Sequence, residues 1–361
     1  MNQDAIIGCI LGTAVGDALG LPYEGVSPAR ATRLLGPPDR YRFVFRRGMI
    51  SDDTEHTCMA AQSLIESHGD VEIFAKRFAS RLRWWILALP AGVGKATARA
   101  GMKLSLGAKP GNAGVFSAGN GPAMRAAIFG AAIDDSTTML DMVRASTRLT
   151  HTDPKAEYGA IAVALAAQHA RTHDAIDANL WLAQVVDTIG NDGSELLDLI
   201  RLAMASVEQN EPTADFAVSM GLANGVTGYT YHTVPVAIHA WLSHPRDFKQ
   251  AVASMICCGG DADTTAAIVG GIVGAGVGRD GLPRDLVNGI CEWPRSTAWM
   301  HKVGQTLAYA LSLSNDPCES GSLARPIAVC PAVNPIAVVV RNLFFLAIVL
   351  IHGFRRLAPP Y

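Results

Sequence analysis

The sequence predicts an all-α protein, and three observations support that fold class. Apolar residues recur at the spacing of a helix face in segment after segment, and no convincing run of apolar and polar alternation indicates a β-strand. Pro-Gly and Gly-Asn pairs separate several of these segments. Hydrophobic residues make up 49% of the 361 positions and charged residues only 17%, with Ala and Gly plentiful, which suits closely packed helices.

Individual helices follow from the same periodicity. It predicts helices over residues 5–20, 71–89, 122–132, 138–149, 154–171, 176–189, 194–208 and 296–312. Further helices are predicted after SDDTEHT, within HPRDFKQAVASMICC, and from Ala266 onward. Between residues 227 and 242 we expect a short extended piece before Pro235 and then a helix through Trp241, because a proline disfavours helical backbone in the residue before it.

Composition and charge narrow the class of protein. A formal charge of −2 gives no general attraction to nucleic acid, so no sequence-specific nucleic-acid partner is expected. Seven cysteines without paired CxxC spacing indicate neither a disulfide framework nor a zinc site. The first residues lack a basic stretch and include Asp4, so no signal peptide is predicted. We therefore expect a cytoplasmic protein.

The first predicted helix carries a stripe of glycines at intervals of four: Gly8, Gly12, Gly16 and Gly20. These positions share one face of a helix, and glycine there costs about 1 kcal/mol against alanine, so the stripe predicts the close approach of another backbone. The same interval separates Gly270, Gly274 and Gly278, so the two helices are expected to pack together in a buried core. Asp17 on the first helix then needs a partner, either a backbone N–H or a metal-bound water.

Two acidic stretches each precede a predicted helix: SDDTEHT, Ser51 to Thr57, and GGDADTT, Gly259 to Thr265. Asp and Thr at a helix start commonly cap orphan N–H groups, so two capped helices are one interpretation. If the stretches converge, the carboxylates would repel one another unless cations or protons neutralised them. Their ligands are all oxygen atoms, the set that Mg²⁺ or Mn²⁺ prefers. Spacing alone leaves both interpretations open.

Three further features are candidates for a binding site. Glu24 follows the Gly-striped helix in GDALGLPYEG, where a surface loop carboxylate is the alternative. In GNGPAMR, Gly119 and Gly121 flank Asn120 ahead of a helix, an arrangement that suits a diphosphate but is shared by many Gly-rich loops. His151 precedes another helix start and is either structural or a partner for a ribose or phosphate oxygen.

The C-terminal region has a different character. SNDPCESGSLARP is predicted to be a linker, which divides the chain into a domain over residues 1–312 and a linker with a hydrophobic tail over 313–361. Arg341 and Asn342 interrupt the apolar run of the tail, so we expect a packed or interfacial helix and not a membrane span. Arg355 and Arg356 follow directly and leave a weak, reversible contact with an anionic membrane surface open.

Five motifs occur in order: GxxxGxxxGDALGxxxE, SDDT, GNGPAMR, THTDP and GGDADTTAAIVGGIVGA. Together they resemble the ADP-ribosylglycohydrolase family, which includes the dinitrogenase reductase-activating glycohydrolases and the ADP-ribosyl-acceptor hydrolases. The resemblance covers roughly residues 5 to 300 and leaves the tail outside.

The resemblance implies a compact, multi-helix all-α fold and an enzyme that hydrolyses the glycosidic bond between ADP-ribose and a protein side chain or related conjugate. It implies two divalent cations, Mg²⁺ or Mn²⁺, which would help to polarise the attacking water. The implied metal ligands are Ser51, Asp52, Asp53, Asp261, Asp263 and Thr264. The implied catalytic residues are Glu24, Asp52, Asp53 and Asp263, and the implied residues of the ADP-ribose cleft are Gly119, Asn120, Gly121 and His151.

Two positions depart from the family pattern. Ser51 stands where Thr is common, a change that keeps the hydroxyl. Gly92 occupies the loop position at which arginine-specific members carry an Asp, which puts specificity for ADP-ribosyl-arginine in doubt. A non-catalytic relative that binds ADP-ribose or serves structurally is the alternative prediction, although retention of all six oxygen ligands argues against it.

Overall fold

The computed structural model describes residues 3–315 and 328–357, and within these ranges the chain forms seventeen α-helices and no β-strand. This confirms the predicted all-α fold. The helices are α1 (Gln3–Gly20), α2 (Pro28–Leu34), α3 (Asp52–Ser67), α4 (Val71–Leu87), α5 (Lys95–Ser105), α6 (Ala127–Ala132), α7 (Ser136–Arg148), α8 (Pro154–Thr172), α9 (Ala178–Ile189), α10 (Ser194–Glu208), α11 (Thr213–Ser219), α12 (Thr230–Ser243), α13 (Phe248–Cys257), α14 (Ala262–Val277), α15 (Arg284–Gly289), α16 (Thr297–Asn315) and α17 (Pro335–Leu357).

The centre of the fold is the pair α1 and α14, which pack with their backbones in contact. A Cβ atom added at Gly12 would overlap the carbonyl oxygen of Gly270, and one added at Gly16 would overlap that of Ala266. The contact is reciprocal, because a Cβ at Gly274 would overlap the carbonyl oxygen of Gly8. We call this contact the glycine seam. It confirms the predicted approach of the two Gly-striped helices.

Several helices surround the glycine seam. From Ala5 to Gly20 every residue of α1 is buried, and α14 is buried from Thr265 to Ala275. Helices α3, α6, α8, α12, α13 and α16 pack around this pair. The starts of α3 and α14 are thereby held on a rigid centre.

One local prediction is right about an extended piece and a helix through Trp241, but wrong about where the extended piece ends. No extended piece precedes Pro235 within residues 230–234, because α12 begins at Thr230 and Pro235 lies inside the helix. A proline lacks the N–H that would continue the helical hydrogen bonds, but burial of Val234, Val236 and Ile238 on the core favours the helix over the local preference. The extended backbone ends at Tyr229, the N-cap of α12.

The C-terminal tail contains one continuous helix, α17, with Arg341 and Asn342 turned inward. Arg341 and Asn342 are 2% and 1% exposed, whereas Val340 and Leu343 beside them are 50% and 53% exposed. Phe345 packs against Phe43 with ring centroids 5.7 Å apart. The two polar residues that interrupt the apolar run therefore lie on the side of α17 that packs against the domain.

Among the described residues, two helical segments are long and apolar enough to cross a membrane by length and composition alone: Gln3–Tyr23, which contains α1, and Pro335–Phe354 of α17. The first is wholly buried in the core, and 22% of the second is buried. The predicted linker lies almost entirely outside the described residues, as do the side chains of Arg355 and Arg356. The membrane contact and the boundary at residue 312 stay predictions.

Candidate active site

The first acidic stretch is held by Asp17 of α1. The carboxylate of Asp17 accepts hydrogen bonds from the backbone N–H of Ser51, at 2.9 and 3.0 Å, and from the N–H of Thr54 at 3.2 Å. The Thr54 hydroxyl donates to it at 2.5 Å. Of the two partners considered for this buried carboxylate, the structure selects backbone N–H groups. Asp17 thus ties the start of α3 to the glycine seam.

The second acidic stretch is held between two other backbone segments. Gly25 donates its N–H to the carbonyl of Gly260 at 2.7 Å, and Asp261 donates its N–H to the carbonyl of Val226 at 2.7 Å. A Cβ at Gly260, whose φ is +80°, would overlap the Val226 carbonyl oxygen, so only glycine fits there. These bonds fix Asp261 and the start of α14, and they bring Glu24 beside it.

The two acidic stretches meet. Thr264 in the first turn of α14 donates its hydroxyl to Asp53 Oδ2 at 3.3 Å, and Ser51 donates its hydroxyl to the same oxygen at 2.9 Å. Ser51 is also the N-cap of α3, because its Oγ accepts from the Asp53 N–H at 3.4 Å. Capping and convergence therefore occur together in these residues.

A cavity of about 710 Å³ opens beside this junction. Nine of the predicted site residues line it: Glu24, Asp52, Asp261, Asp263, Thr264, Gly119, Asn120, Gly121 and His151. The other two, Ser51 and Asp53, are 4% and 0% exposed and do not line it. The structure thus brings nine of the eleven predicted residues to one cavity, and Asp53, bonded to Ser51, is joined to them through Thr264.

The carboxylates around the cavity raise one another's pKa. Burial, followed by the negative charge of Asp17, raises the pKa of Asp52 well above its ordinary value. Burial and then Asp52 do the same for the pKa of Asp53, and burial and then Glu24 do so for that of Asp263. A positive charge close to these groups would reverse the effect.

The donor chemistry fits a hard divalent cation. Asp53 Oδ1 and Asp263 Oδ1 are buried and make no hydrogen bond with the described residues, although a buried charged oxygen needs a partner. One comes from each acidic stretch, and the hydroxyls of Ser51 and Thr264 belong to the same oxygen-only set. As positioned, no three His, Cys, Asp or Glu side chains in the described part of the chain form a ready-made metal-binding group. The fit therefore rests on the two unpartnered oxygens.

The GNG loop, residues 119–121, is bonded directly to the second acidic stretch. Asn120 donates through Nδ2 to Asp261 Oδ2 at 2.6 Å and to Thr233 Oγ1 at 3.0 Å. Asn120 therefore both lines the cavity and orients Asp261. His151 contacts Thr150 Oγ1 through Nδ1 at 2.9 Å. Burial, and then the charge of Arg125, lower the pKa of His151 to about 3, so it faces the cavity as a neutral ring.

Sequence reasoning missed Arg125, which is fully buried behind the loop. It donates to the carbonyl of Gly121 at 2.8 Å and to Thr150 Oγ1 at 2.8 Å, so it holds both the GNG loop and the neighbour of His151. No carboxylate forms an ion pair with it among the described residues. Its place at the end of GNGPAMR was the available signal.

Two loops that line the cavity were also missed. Gly94 and Lys95 border it at the start of α5, and Asn224 to Gly228 border it from the loop before α12. The Gly-Lys pair before a helix was a signal that sequence reasoning left unused. Gly92 lies in the first of these loops with φ +81°, and a Cβ there would meet nothing within 4 Å. This wall of the cavity therefore has no carboxylate at position 92.

The chain is similar to several known proteins. The family model described as ADP-ribosylglycohydrolase matches residues 2–317. An uncharacterized protein of Archaeoglobus fulgidus is 34% identical over 74% of this chain and 86% of its own length. The ADP-ribosyl-[dinitrogen reductase] glycohydrolase of Rhodospirillum rubrum is 26% identical over 78% of this chain and 88% of its own length, and ADP-ribosylhydrolase ARH3 of Gallus gallus is 27% identical over 76% and 86%.

A solved structure has the same fold. It is titled "ADP-ribosylglycohydrolase-related protein complex", matches with a TM-score of 0.60 at 24% identity, and covers 86% of this chain and 98% of that chain. The family match extends over the glycine seam, both acidic stretches, the GNG loop and His151. This chain belongs to the ADP-ribosylglycohydrolase family.

Proposed function

We propose that this protein is a divalent-metal-dependent hydrolase that cleaves the glycosidic bond between ADP-ribose and an acceptor. Membership of the family supports ADP-ribosyl hydrolysis in general. The observation that carries the metal dependence is the pair of buried, unpartnered oxygens, Asp53 Oδ1 and Asp263 Oδ1, contributed by two helix starts that Thr264 joins. One or two cations, Mg²⁺ or Mn²⁺, would be held by Ser51, Asp52, Asp53, Asp261, Asp263 and Thr264.

The bound cations would supply Lewis acidity and the positive charge that this cluster of carboxylates lacks. Asp52 and Glu24 are half-buried and face the cavity, so either carboxylate can take the proton from the attacking water. A bond then forms between the water oxygen and the anomeric carbon while the bond from that carbon to the acceptor breaks. The carboxylate returns its proton to the leaving acceptor.

The remaining walls of the cavity suit the ADP-ribose portion. Backbone N–H groups near Gly119 and Gly121, together with the ammonium of Lys95, would bind the diphosphate. His151, neutral in this environment, would exchange a hydrogen bond with a ribose or phosphate oxygen without adding charge.

For the acceptor, we propose a linkage other than arginine. Position 92 presents no carboxylate to the cavity, so the countercharge that a guanidinium leaving group would need is missing at this point. Serine-linked, small-molecule and nucleic-acid-linked ADP-ribose are the classes to compare. A cytoplasmic location and reversible contact of the tail with a membrane surface remain further proposals, to be tested by fractionation of cells that express the full chain.

The test is a panel of ADP-ribose conjugates to arginine, serine, phosphate, acetyl and nucleic-acid ends, assayed with Mg²⁺, Mn²⁺ or a chelator. We expect release of free ADP-ribose from at least one linkage, its loss with chelator, and its abolition in Asp52→Asn and Asp263→Asn. The matched control is Asp135→Asn, because Asp135 caps α7 through the Thr138 N–H and lies outside the cavity. Asparagine caps about as well, so turnover should be unchanged.

Three results would contradict the proposal. Wild-type turnover in a folded Asp52 or Asp263 variant would exclude these residues from the chemistry. Binding of ADP-ribose and Mg²⁺ without turnover of any conjugate would indicate a binding protein. Release of phosphate in place of ADP-ribose would indicate a phosphohydrolase.

A further inference from the structure

The tail helix α17 inserts a buried arginine beneath the start of α3. Arg341 donates to Glu292 through Nε and Nη2, both at 2.8 Å, and its Nη2 also donates to the Ile50 carbonyl at 2.5 Å. Its side chain and that of Glu292 are 2% and 1% exposed. Residue 341 lies beyond residues 2–317, which the family model matches. The contact is therefore supplied by a part of the chain outside the matched region.

This contact bears on one peptide unit, the one that joins Ile50 to Ser51. Arg341 holds its carbonyl oxygen from the tail, and Asp17 accepts its N–H from α1 at 2.9 Å. Glu292 accepts the preceding N–H, that of Ile50, at 3.3 Å. The orientation of this peptide determines where the Ser51 hydroxyl points and where α3 begins, and thus where Asp52 and Asp53 stand.

The same arginine balances charge behind the site. Glu55, in the first turn of α3 and 2% exposed, accepts from Arg295 at 2.6 Å and from Trp85 at 2.6 Å, and Arg341 Nη1 lies 3.7 Å from it. Without Arg341, Glu292 would be buried with no cation within ion-pair distance in the described part of the chain, and Glu55 would keep only Arg295.

We propose that Arg341 is a positioning residue for the metal site: through Glu292 and the Ile50 carbonyl, the tail helix sets the peptide from which the Ser51–Asp53 ligands project. The inference rests on the proposed function, since it assumes a cation at these ligands. The tail helix would then contribute directly to the geometry of the proposed metal site. Without Arg341 the Ile50–Ser51 peptide would keep the bond from its N–H to Asp17 but lose the bond to its carbonyl, so Ser51 and Asp53 would turn relative to Asp263.

The experiment is Mn²⁺ titration calorimetry on the full chain, together with melting temperature and steady-state kinetics. In Arg341→Met we expect the Mn²⁺ dissociation constant to rise at least tenfold and kcat to fall more than KM rises. The double variant Arg341→Met/Glu292→Met removes both buried charges and replaces them with apolar side chains, so it should regain most of the lost melting temperature. The Mn²⁺ affinity of the double variant should stay at least tenfold weaker than that of the wild type, because the Ile50 carbonyl still lacks its hydrogen bond from Arg341.

The matched control is Asn342→Ala on the same buried side of α17. It removes the 2.9 Å bond from Asn342 Nδ2 to the Ala88 carbonyl and the Oδ1 that accepts from Arg341 Nη1 at 3.3 Å. The bonds from Arg341 to Glu292 and to the Ile50 carbonyl do not involve Asn342, so Mn²⁺ affinity should stay within about twofold. Wild-type Mn²⁺ affinity in the folded double variant, or an equal loss in Asn342→Ala, would overturn the inference. If the wild type binds Mn²⁺ but hydrolyses no conjugate, the proposed function fails, while the affinities still decide the role of Arg341.

Discussion

A single methyl group added at Gly12 tests whether the glycine seam sets the stability of this fold. In Gly12→Ala the new Cβ would overlap the Gly270 carbonyl oxygen and lie 3.1 Å from the Cα of Gly274. Ordinary contact needs about 3.5 Å, and both atoms belong to a buried helix backbone, so α1 and α14 would have to part. The neighbours cannot yield as a flexible side chain would.

The magnitude follows from two opposing effects. Overpacking of a well-packed core costs about 1–3 kcal/mol, and a backbone collision places this site near the upper end. Alanine returns about 1 kcal/mol of helix propensity relative to glycine. About 3 minus about 1 leaves a loss of about 2 kcal/mol in the free energy of unfolding.

The assay compares Gly12→Ala with Gly353→Ala by urea denaturation. Gly353 also lies inside a helix, but a Cβ there would meet nothing within 4 Å, so this variant should keep the propensity gain of up to about 1 kcal/mol. The two variants should therefore differ by about 3 kcal/mol. If Gly12→Ala unfolds at the same urea concentration as Gly353→Ala, the two backbones do not hold each other as described, and the reasoning is wrong.

Two further predictions concern the site itself. Thr264→Val removes the hydroxyl that donates to Asp53, so Mn²⁺ affinity measured by calorimetry should fall about tenfold, or about 1.4 kcal/mol. The control Thr306→Val loses only a bond to the Lys302 carbonyl of its own helix and should bind Mn²⁺ as the wild type does. Burial and then Arg125 lower the pKa of His151 to about 3, so between that value and about 6.5 the unfolded chain binds more protons than the folded one. As pH falls from about 6.5 to 4, the wild type should lose up to about 1.4 kcal/mol of unfolding free energy per pH unit more than His151→Gln. If the unfolding free energies of these two proteins change equally with pH over this range, His151 is not held as a buried, neutral ring.

The two acidic stretches show which features of the site local sequence can predict and which it cannot. Ser51, Asp53 and Thr264 have side chains that cap helix starts and also bind hard cations, so their identities fit both interpretations. The choice depends on whether two stretches about 200 positions apart along the chain come together, and no local pattern contains that information. The packing of α1 on α14 brings them into contact, with Asp17 on α1 holding the first stretch and Thr264 on α14 bonding to Asp53.

Two other features could not be predicted from the sequence for the same reason. Pro235 has the local preferences of a helix boundary, but the burial of its neighbours on the core outweighs that preference. In the sequence, Arg341 and Asn342 only interrupt an apolar run. Their partners, Glu292 and the Ala88 carbonyl, lie 49 and 254 positions earlier in the chain and become neighbours only when the tail docks.

What the sequence by itself determined was the set of local properties: helices from periodicity, a close backbone contact from glycines at intervals of four, and an oxygen-only ligand set from the acidic stretches. These follow from residue types within a few turns of chain, where spacing and chemistry are sufficient. The tertiary structure alone decided that Asp17 accepts the N–H groups of Ser51 and Thr54, that Asn120 bonds to Asp261, and that Arg341 of the tail bonds to the Ile50 carbonyl. Those contacts join residues distant in the chain, and burial determines them because each charged or polar group removed from water must find its partner inside the fold.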